Sequence, residues 1–251
     1  MRDGDRTDVL RRAHDPEAIA RRLAGARRQE HVSDAVLGGI DGCITTFAVV
    51  CGALGGGFTP LVALVLGFAN LVADGFSMAV SRYESIRAQR EVVAATRREE
   101  LDHIARVPEG EREEVRQIFA AKGFRGETLA DIVETICADR GRWVETMITE
   151  EHGLAAAQPH PGRAAAATFT AFVLVGALPL LPLLLPGGEI ARFAASAVIA
   201  AATFFAIGMV KSLVLGRPVL RAALLTLATG GSAAVLAYLT GILSRWLLGG
   251  G

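Results

Sequence analysis

Asn70, Asp74 and Met78 recur at i, i+4 and i+8 inside an apolar run, a spacing that sets all three on one face of a helix. An amide, a carboxylate and a thioether on one face can hold a cation. An ionisable residue in mid-membrane costs roughly 2.5–3.5 kcal/mol on insertion scales, which makes Asp74 a functional candidate. The alternative is a polar residue hydrogen-bonded to a neighbouring helix as structural glue. A second pair, Asp34 and Asp41, lies in the preceding apolar run, seven residues apart and on nearly the same face. Asp41 sits deep enough to be intramembrane and Asp34 at the entrance, where an acid is also favoured by the helix macrodipole.

A third set lies in a polar stretch. Glu99 and His103 are spaced i, i+4, Glu100 and His103 i, i+3, Glu111 and Glu114 i, i+3, and Met147 and Glu151 i, i+4. Each pair faces one way on its helix, so three helices can converge their acids on a shared centre. Carboxylates with one imidazole and a thioether suit a borderline divalent ion such as Fe²⁺ or Mn²⁺, whereas Ca²⁺ or Mg²⁺ needs no thioether. The competing reading is a solvated helix face, with Arg97, Arg98, Arg112 and Arg116 at hand for intrahelical pairs, and a methionine that belongs to the core.

The elements that would position these residues follow from composition. Of the 251 residues 51% are hydrophobic and 21% charged, with no net charge and a mean hydropathy of +0.39. Charge concentrates in 1–34 and 81–152, the pattern of an all-α membrane protein carrying a polar helical insert. Five apolar segments are expected, at about 32–54, 61–82, 164–185, 190–213 and 219–243. The domains read as an amphipathic N-tail (1–30), helices one and two (31–82), a helical metal-binding domain (83–158) and helices three to five (159–251).

The linker 55–60 is short, so segment two returns antiparallel to segment one, and its helix continues into the charged stretch without a breaker. Within 83–155 the sequence predicts a helix to Arg106, a break at Val107-Pro108, and a second helix from Glu111 to Lys122 closed by Gly123. A third begins at Thr128 with Asp131 in a capping box, and a fourth runs from Arg142 to His152, closed by Gly153. Pro179 and Pro182 should kink segment three.

Arg2, Arg6, Arg11, Arg12, Arg21, Arg22, Arg27 and Arg28, with a helix start at Asp15-Pro16, suit a basic amphipathic helix on a membrane surface. Nothing else in the chain supports a nucleic-acid partner. Lys211, Arg217 and Arg221 share a side with the N-tail and the insert, while the opposite loops carry only Glu189. The positive-inside rule then places N-terminus and insert in the cytoplasm and the C-terminus outside, with Arg245 as a counter-signal. The polar start carries no cleavable signal, and Cys43, Cys51 and Cys137 form neither a disulfide framework nor a CxxC site. A bias to arginine, with Lys122 and Lys211 the only lysines, hints at a GC-rich genome and a bacterial cytoplasmic membrane. No P-loop, dinucleotide fingerprint or nucleophile–base pairing points to an enzyme. A membrane-anchored metal sensor or storage protein is the rival from another class.

The runs 34–42 (DAVLGGIDG) and 70–79 (NLVADGFSMA), Trp143-Val144-Glu145-Thr146-Met147, and Glu151-His152-Gly153-Leu154 resemble the vacuolar iron transporter family. The likeness extends over about 30–245 in the same order. It implies a homodimer in the bilayer whose first two helices line a path for Fe²⁺, and often Mn²⁺, moved out of the cytoplasm against protons, with no prosthetic group. The family's membrane site maps onto Asp41 and Met78 and its entrance aspartate onto Asp34. Asn70 stands where plant members place a glutamate, and Asp74 offers a replacement charge one turn on. The family's cytoplasmic metal site maps onto Glu111, Glu114, Met147 and Glu151; counting back from Pro108 adds Glu100 and His103, with Glu99 as the alternative, and Ile148 replaces a second methionine. On this resemblance the insert collects metal and passes it to Asp34, Asp41, Asp74 and Met78. A manganese-selective exporter is the rival in the same class.

Overall fold

The computed structural model describes residues 11, 14–25, 29–155, 159–215 and 219–249. Among them there are helices and no strand. The helices are α1 (Pro16–Gly25), α2 (Gln29–Gly55), α3 (Pro60–Arg106), α4 (Pro108–Ala121), α5 (Gly126–Cys137), α6 (Arg140–Thr146), α7 (Pro161–Gly176), α8 (Glu189–Leu215) and α9 (Val219–Gly249). A π turn, Met147–Glu151, follows α6, and a 3₁₀ segment, Leu178–Leu184, follows α7. Five helical stretches are long and apolar enough to cross a membrane: Ser33–Gly55, Pro60–Arg106, Pro161–Leu184, Glu189–Ser212 and Val219–Gly249. Of the basic N-tail, Arg2, Arg6, Arg12, Arg27 and Arg28 lie outside the described residues, as does Arg217.

The chain divides into two compact units, 1–83 with 162–251, and 84–161. In the first, Cys43, Phe47 and Val50 of α2, Leu71 of α3, Phe172 of α7 and Phe204 of α8 form the buried centre. Phe47 meets Phe204 edge-on, ring centroids 6.4 Å apart, the arrangement that the ring quadrupole favours. Small residues let the backbones close up where no water-driven force holds helices together. A Cβ on Gly42 would lie 2.4 Å from the Phe172 carbonyl oxygen and one on Gly38 2.4 Å from that of Thr168, so only glycine fits where α2 crosses α7.

The third span changes character at Gly176, where the α-helix gives way to the 3₁₀ segment carrying Pro179 and Pro182. The prolines remove amide donors and leave carbonyls unpaired. One is recovered: the Ser196 hydroxyl of α8 donates to the Pro179 carbonyl at 2.6 Å, fully buried.

In the second unit the end of α3, α4, α5, α6 and the π turn enclose Val115, Val133, Trp143, Val144, Met147 and Ile148. The break at Val107-Pro108 is as expected, but α4 starts at Pro108 rather than Glu111, because a proline in the first turn lacks only an amide that would have been unpaired. The capping box at Thr128 does not form. The third helix of this unit starts at Gly126 with Arg125 at the N-cap and no side-chain cap; Gly126 takes φ 58°, turning the chain into the helix before Thr128 is reached. The fourth helix starts earlier than Arg142, capped by Asp139, whose carboxylate accepts from the Arg142 amide at 2.8 Å.

Candidate metal centre

In the 84–161 unit, Glu100 and His103 sit in the last turns of α3, one turn apart, and Glu111 sits in the first turn of α4. The break between the helices folds Glu111 back toward His103: His103 Nδ1 lies 3.3 Å from Glu111 Oε1. Arg140 donates to the Leu101 carbonyl at 2.9 Å, tying the start of α6 to the end of α3. Lys122 pairs with Glu150, tying the end of α4 to the π turn. That turn closes with a bond from the His152 amide to the Met147 carbonyl, 3.2 Å and five residues back, the wide spacing that often marks functional sites. It brings His152 Nε2 to 2.9 Å from Glu100 Oε1 and 3.7 Å from Glu151 Oε2.

Two groups of converging donors result among the described residues, Glu100 with His103 and Glu111, and Glu100 with Glu151 and His152, each with its ligand atoms within 4.8 Å of one another. Glu100 is common to both. It is 2% exposed and Glu111 5%, and each keeps one oxygen, Oε2, buried without a hydrogen-bond partner. An unpaired buried carboxylate oxygen forfeits strong hydration, so it calls for a proton or a cation.

The electrostatics agree. Burial, then the charges of Glu100 and Glu114, push the Glu111 carboxyl up to about 7, against the opposing pull of His103. Burial, then Glu114 and Glu100, raise Glu151 as well. His152 is raised by its hydrogen bond to Glu100, against the effect of burial. Arginines in this stretch pair with other acids: Arg106 with Asp102 at 2.8 Å and Arg116 with Glu113 at 3.0 Å.

The remaining residues singled out in this stretch fall in different places. Glu99 is exposed and outside both groups. Glu114 is exposed and reaches Glu111 and Glu151 through its charge. Met147 is fully buried in the apolar core beside Ile148.

In the first unit, Asp34 is 2% exposed and accepts from Arg82 Nε at 2.7 Å through Oδ1, while its Oδ2 is buried without a partner. Since α2 begins at Gln29, more than a turn earlier, Asp34 is not a helix-start acid. Asp41 is half-buried, and it feels the charge of Asp74 of α3. Thr45 joins the two helices: its hydroxyl donates to the Asp41 carbonyl at 2.9 Å and accepts from Asn70 Nδ2 at 3.3 Å. Met78 is partly buried against the core. Asp74 is exposed, on the face of α3 that also carries the half-buried Asn70 and Met78. Asp34, Asp41 and Asp74 form no three-donor group within this one chain, among the described residues.

Three residues that sequence reasoning left out thus enter the sites: His152, Arg82 and Thr45. Two had a signal. Arg82 extends the Asn70, Asp74, Met78 series by one more step of four, and Thr45 follows Asp41 by four. His152 had none, because neighbours on a regular helix diverge by about 100° and only the π turn brings it alongside Glu151.

Residues 32–242 match the sequence profile described as the VIT family. The chain is 30% identical to a vacuolar iron transporter of Toxoplasma gondii, over 96% of this chain and 85% of the relative. It is 31% identical to vacuolar iron transporter 1 of Arabidopsis thaliana, over 83% of this chain and 84% of the relative. A vacuolar iron transporter of Plasmodium berghei shares 28% identity over 86% and 83% respectively.

Proposed function

The chain belongs to the VIT family, and from that premise we propose that it carries Fe²⁺, and also Mn²⁺, across a membrane in exchange for protons, out of the cytoplasm. The observation that carries this reading is the pair of intramembrane carboxylates, Asp41 on α2 and Asp74 on α3, close enough for their charges to interact. Two acids in hydrocarbon are expensive unless a cation or a proton occupies them. A carboxylate so placed holds one or the other and resists being a bare anion, which makes exchange of metal for protons its natural chemistry.

Each residue then has a role. Asp34 receives the ion, Asp41 and Asp74 bind it in transit, and Met78 adds a soft ligand that favours transition ions over Mg²⁺ and Ca²⁺. Asn70, tied to Thr45, keeps its amide oxygen free to contribute. The 84–161 unit gathers metal through Glu100, His103, Glu111, Glu114 and Glu151 and raises its concentration on the cytoplasmic side. The working form is a homodimer in a bacterial cytoplasmic membrane. Leu61, Val65, Val72 and Phe76 leave one face of α3 exposed and apolar, a surface on which a second copy would pack.

The test is flux into liposomes holding the purified protein, comparing Fe²⁺ and Mn²⁺ with internal pH followed by a trapped dye. Metal entry coupled to a pH change, lost in Asp41→Ala, is the expected result; coupled flux retained in that variant would sink the proposal. A manganese-selective exporter would show flux with Mn²⁺ alone. A sensor or storage role draws on the compactness of the 84–161 unit, and would show as metal binding without flux.

A further inference from the structure

We infer that His152 is itself a metal ligand, giving the 84–161 unit two imidazoles, one in each of the two donor groups that share Glu100, and a preference for nitrogen-seeking divalent ions over Mn²⁺. This rests on the reading that the unit holds metal.

The donor spacings carry it. Two ligand atoms each about 2.1 Å from one ion lie roughly 3.0 Å apart at a right angle and 3.4 Å apart at a tetrahedral angle. His152 Nε2 stands 2.9 Å from Glu100 Oε1 and 3.7 Å from Glu151 Oε2, and His103 Nδ1 stands 3.3 Å from Glu111 Oε1. The 3.3 Å separation falls inside that range, and 2.9 and 3.7 Å lie just to either side of it. The buried, unpartnered Oε2 atoms of Glu100 and Glu111 add an independent sign that a cation completes the cluster. His152 is 31% exposed and Glu100 2%, so the ring can admit an ion from water to a carboxylate that is already dry.

The chemistry follows from the donor set. Imidazole suits Fe²⁺, Co²⁺ and Zn²⁺, whereas a site of carboxylates alone suits Mn²⁺, Mg²⁺ and Ca²⁺. Each group of converging donors contains one imidazole, His103 or His152. His152 is held by a hydrogen bond to Glu100. On loading, the Nε2 lone pair turns to the ion and the Glu100 oxygen becomes a neighbouring ligand.

The rival role is positioning, in which His152 only orients Glu100, as partners of ligating carboxylates do. The experiment uses the full chain purified in detergent, stripped with chelator, and titrated with Co²⁺ by absorption and with Mn²⁺ by electron paramagnetic resonance. Nitrogen modulation in pulsed resonance, scaled to the Co²⁺ bound per chain, counts the imidazoles that Co²⁺ engages. The chain has five histidines, His14, His31, His103, His152 and His160, and none besides His103 and His152 belongs to either donor group.

His152→Gln keeps a hydrogen-bond donor for Glu100 but supplies no imidazole. It should weaken Co²⁺ binding on the order of tenfold or more, change Mn²⁺ binding by less than about threefold, and reduce the count from two Co²⁺-bound imidazoles per chain to one. A second variant, His152→Glu, should tighten Mn²⁺ binding while still lacking the preference for Co²⁺, and it decides the matter should the glutamine variant fail to fold. Unchanged Co²⁺ affinity overturns the inference, and so does weaker binding with two imidazoles still counted, the mark of a positioning residue. Failure of the wild type to bind either ion in this unit would overturn the underlying reading along with it, whereas tight binding indifferent to His152 would overturn the inference alone.

Discussion

Glu111→Gln should stabilise the metal-free 84–161 unit at alkaline pH while weakening its hold on metal. In the folded chain the Glu111 carboxyl is raised from its ordinary 4.5 to about 7, through burial and the charges of Glu100, Glu114 and Glu151. At about 1.4 kcal/mol for each tenfold change, that elevation costs the ionised folded form on the order of 3 kcal/mol relative to the unfolded chain. The sign is fixed by the direction. Below pH 4.5 both states carry the proton and there is no penalty; as pH rises through about 7 the folded state loses its proton and the penalty is complete. Glutamine keeps the shape and never ionises, so it removes most of this pH dependence. Glu151 and His152 are raised too and act in the same direction, so part of the slope persists. The assay is denaturant unfolding of the full chain, metal chelated, at pH 5 and pH 8, in a Trp246→Phe background. Trp143, 5% exposed, then reports on this unit as the remaining tryptophan. The wild type should be more stable at pH 5 than at pH 8 by this signal, and Glu111→Gln should narrow the gap by raising stability at pH 8. A variant equally or less stable than wild type at pH 8 would refute the reasoning.

The same elevation sets the pH dependence of loading. Protons compete for Glu111 below about pH 7, so metal binding should weaken by up to about tenfold per pH unit as pH falls from 7 to 5, measurable by titration at each pH. Arg82→Gln leaves Asp34 buried without its cation; with Arg82 31% exposed, the loss should be nearer 1–3 kcal/mol than the roughly 3–5 of a fully buried pair, read as a lower thermal midpoint in detergent. Gly42→Ala drives a methyl against the Phe172 carbonyl, 2.4 Å from where it would sit, and should cost about 1–3 kcal/mol by the same measurement. Thr45→Val deprives Asn70 of its acceptor and the Asp41 carbonyl of its side-chain donor; about 1 kcal/mol of stability should go, together with a higher KM for metal in the liposome assay.

The length and order of the helices were legible because a bilayer demands long apolar runs, and those are written residue by residue. Pro108 announced its break for the same local reason. The helix start at Gly126 was not legible: Thr128 and Asp131 fit a capping box, and nothing in the residue types says that the glycine two places earlier turns the chain first. In the metal cluster, spacing by three and four picked out Glu100, His103 and Glu111, since these lie on regular helices. It failed for His152, which owes its place to a π turn. Between Glu99 and Glu100 periodicity had no means to choose; packing did, burying Glu100 and leaving its neighbour in water. The Asp34–Arg82 pair joins residues 48 apart in sequence, a distance over which helical spacing carries no information.

The buried bond between Ser196 and the Pro179 carbonyl bears on how the protein is made. A span whose helix stops short in Leu178–Leu184 is a poor lone passenger in hydrocarbon, since the freed carbonyl has no water to turn to. Its partner sits on the next span to leave the ribosome, a few residues past the loop at 185–188. Insertion as a hairpin, with the two spans settling together, lets the fourth shelter the third during biogenesis. Ser196→Ala would then show up first as poor yield of inserted protein, ahead of any defect in the molecules that survive.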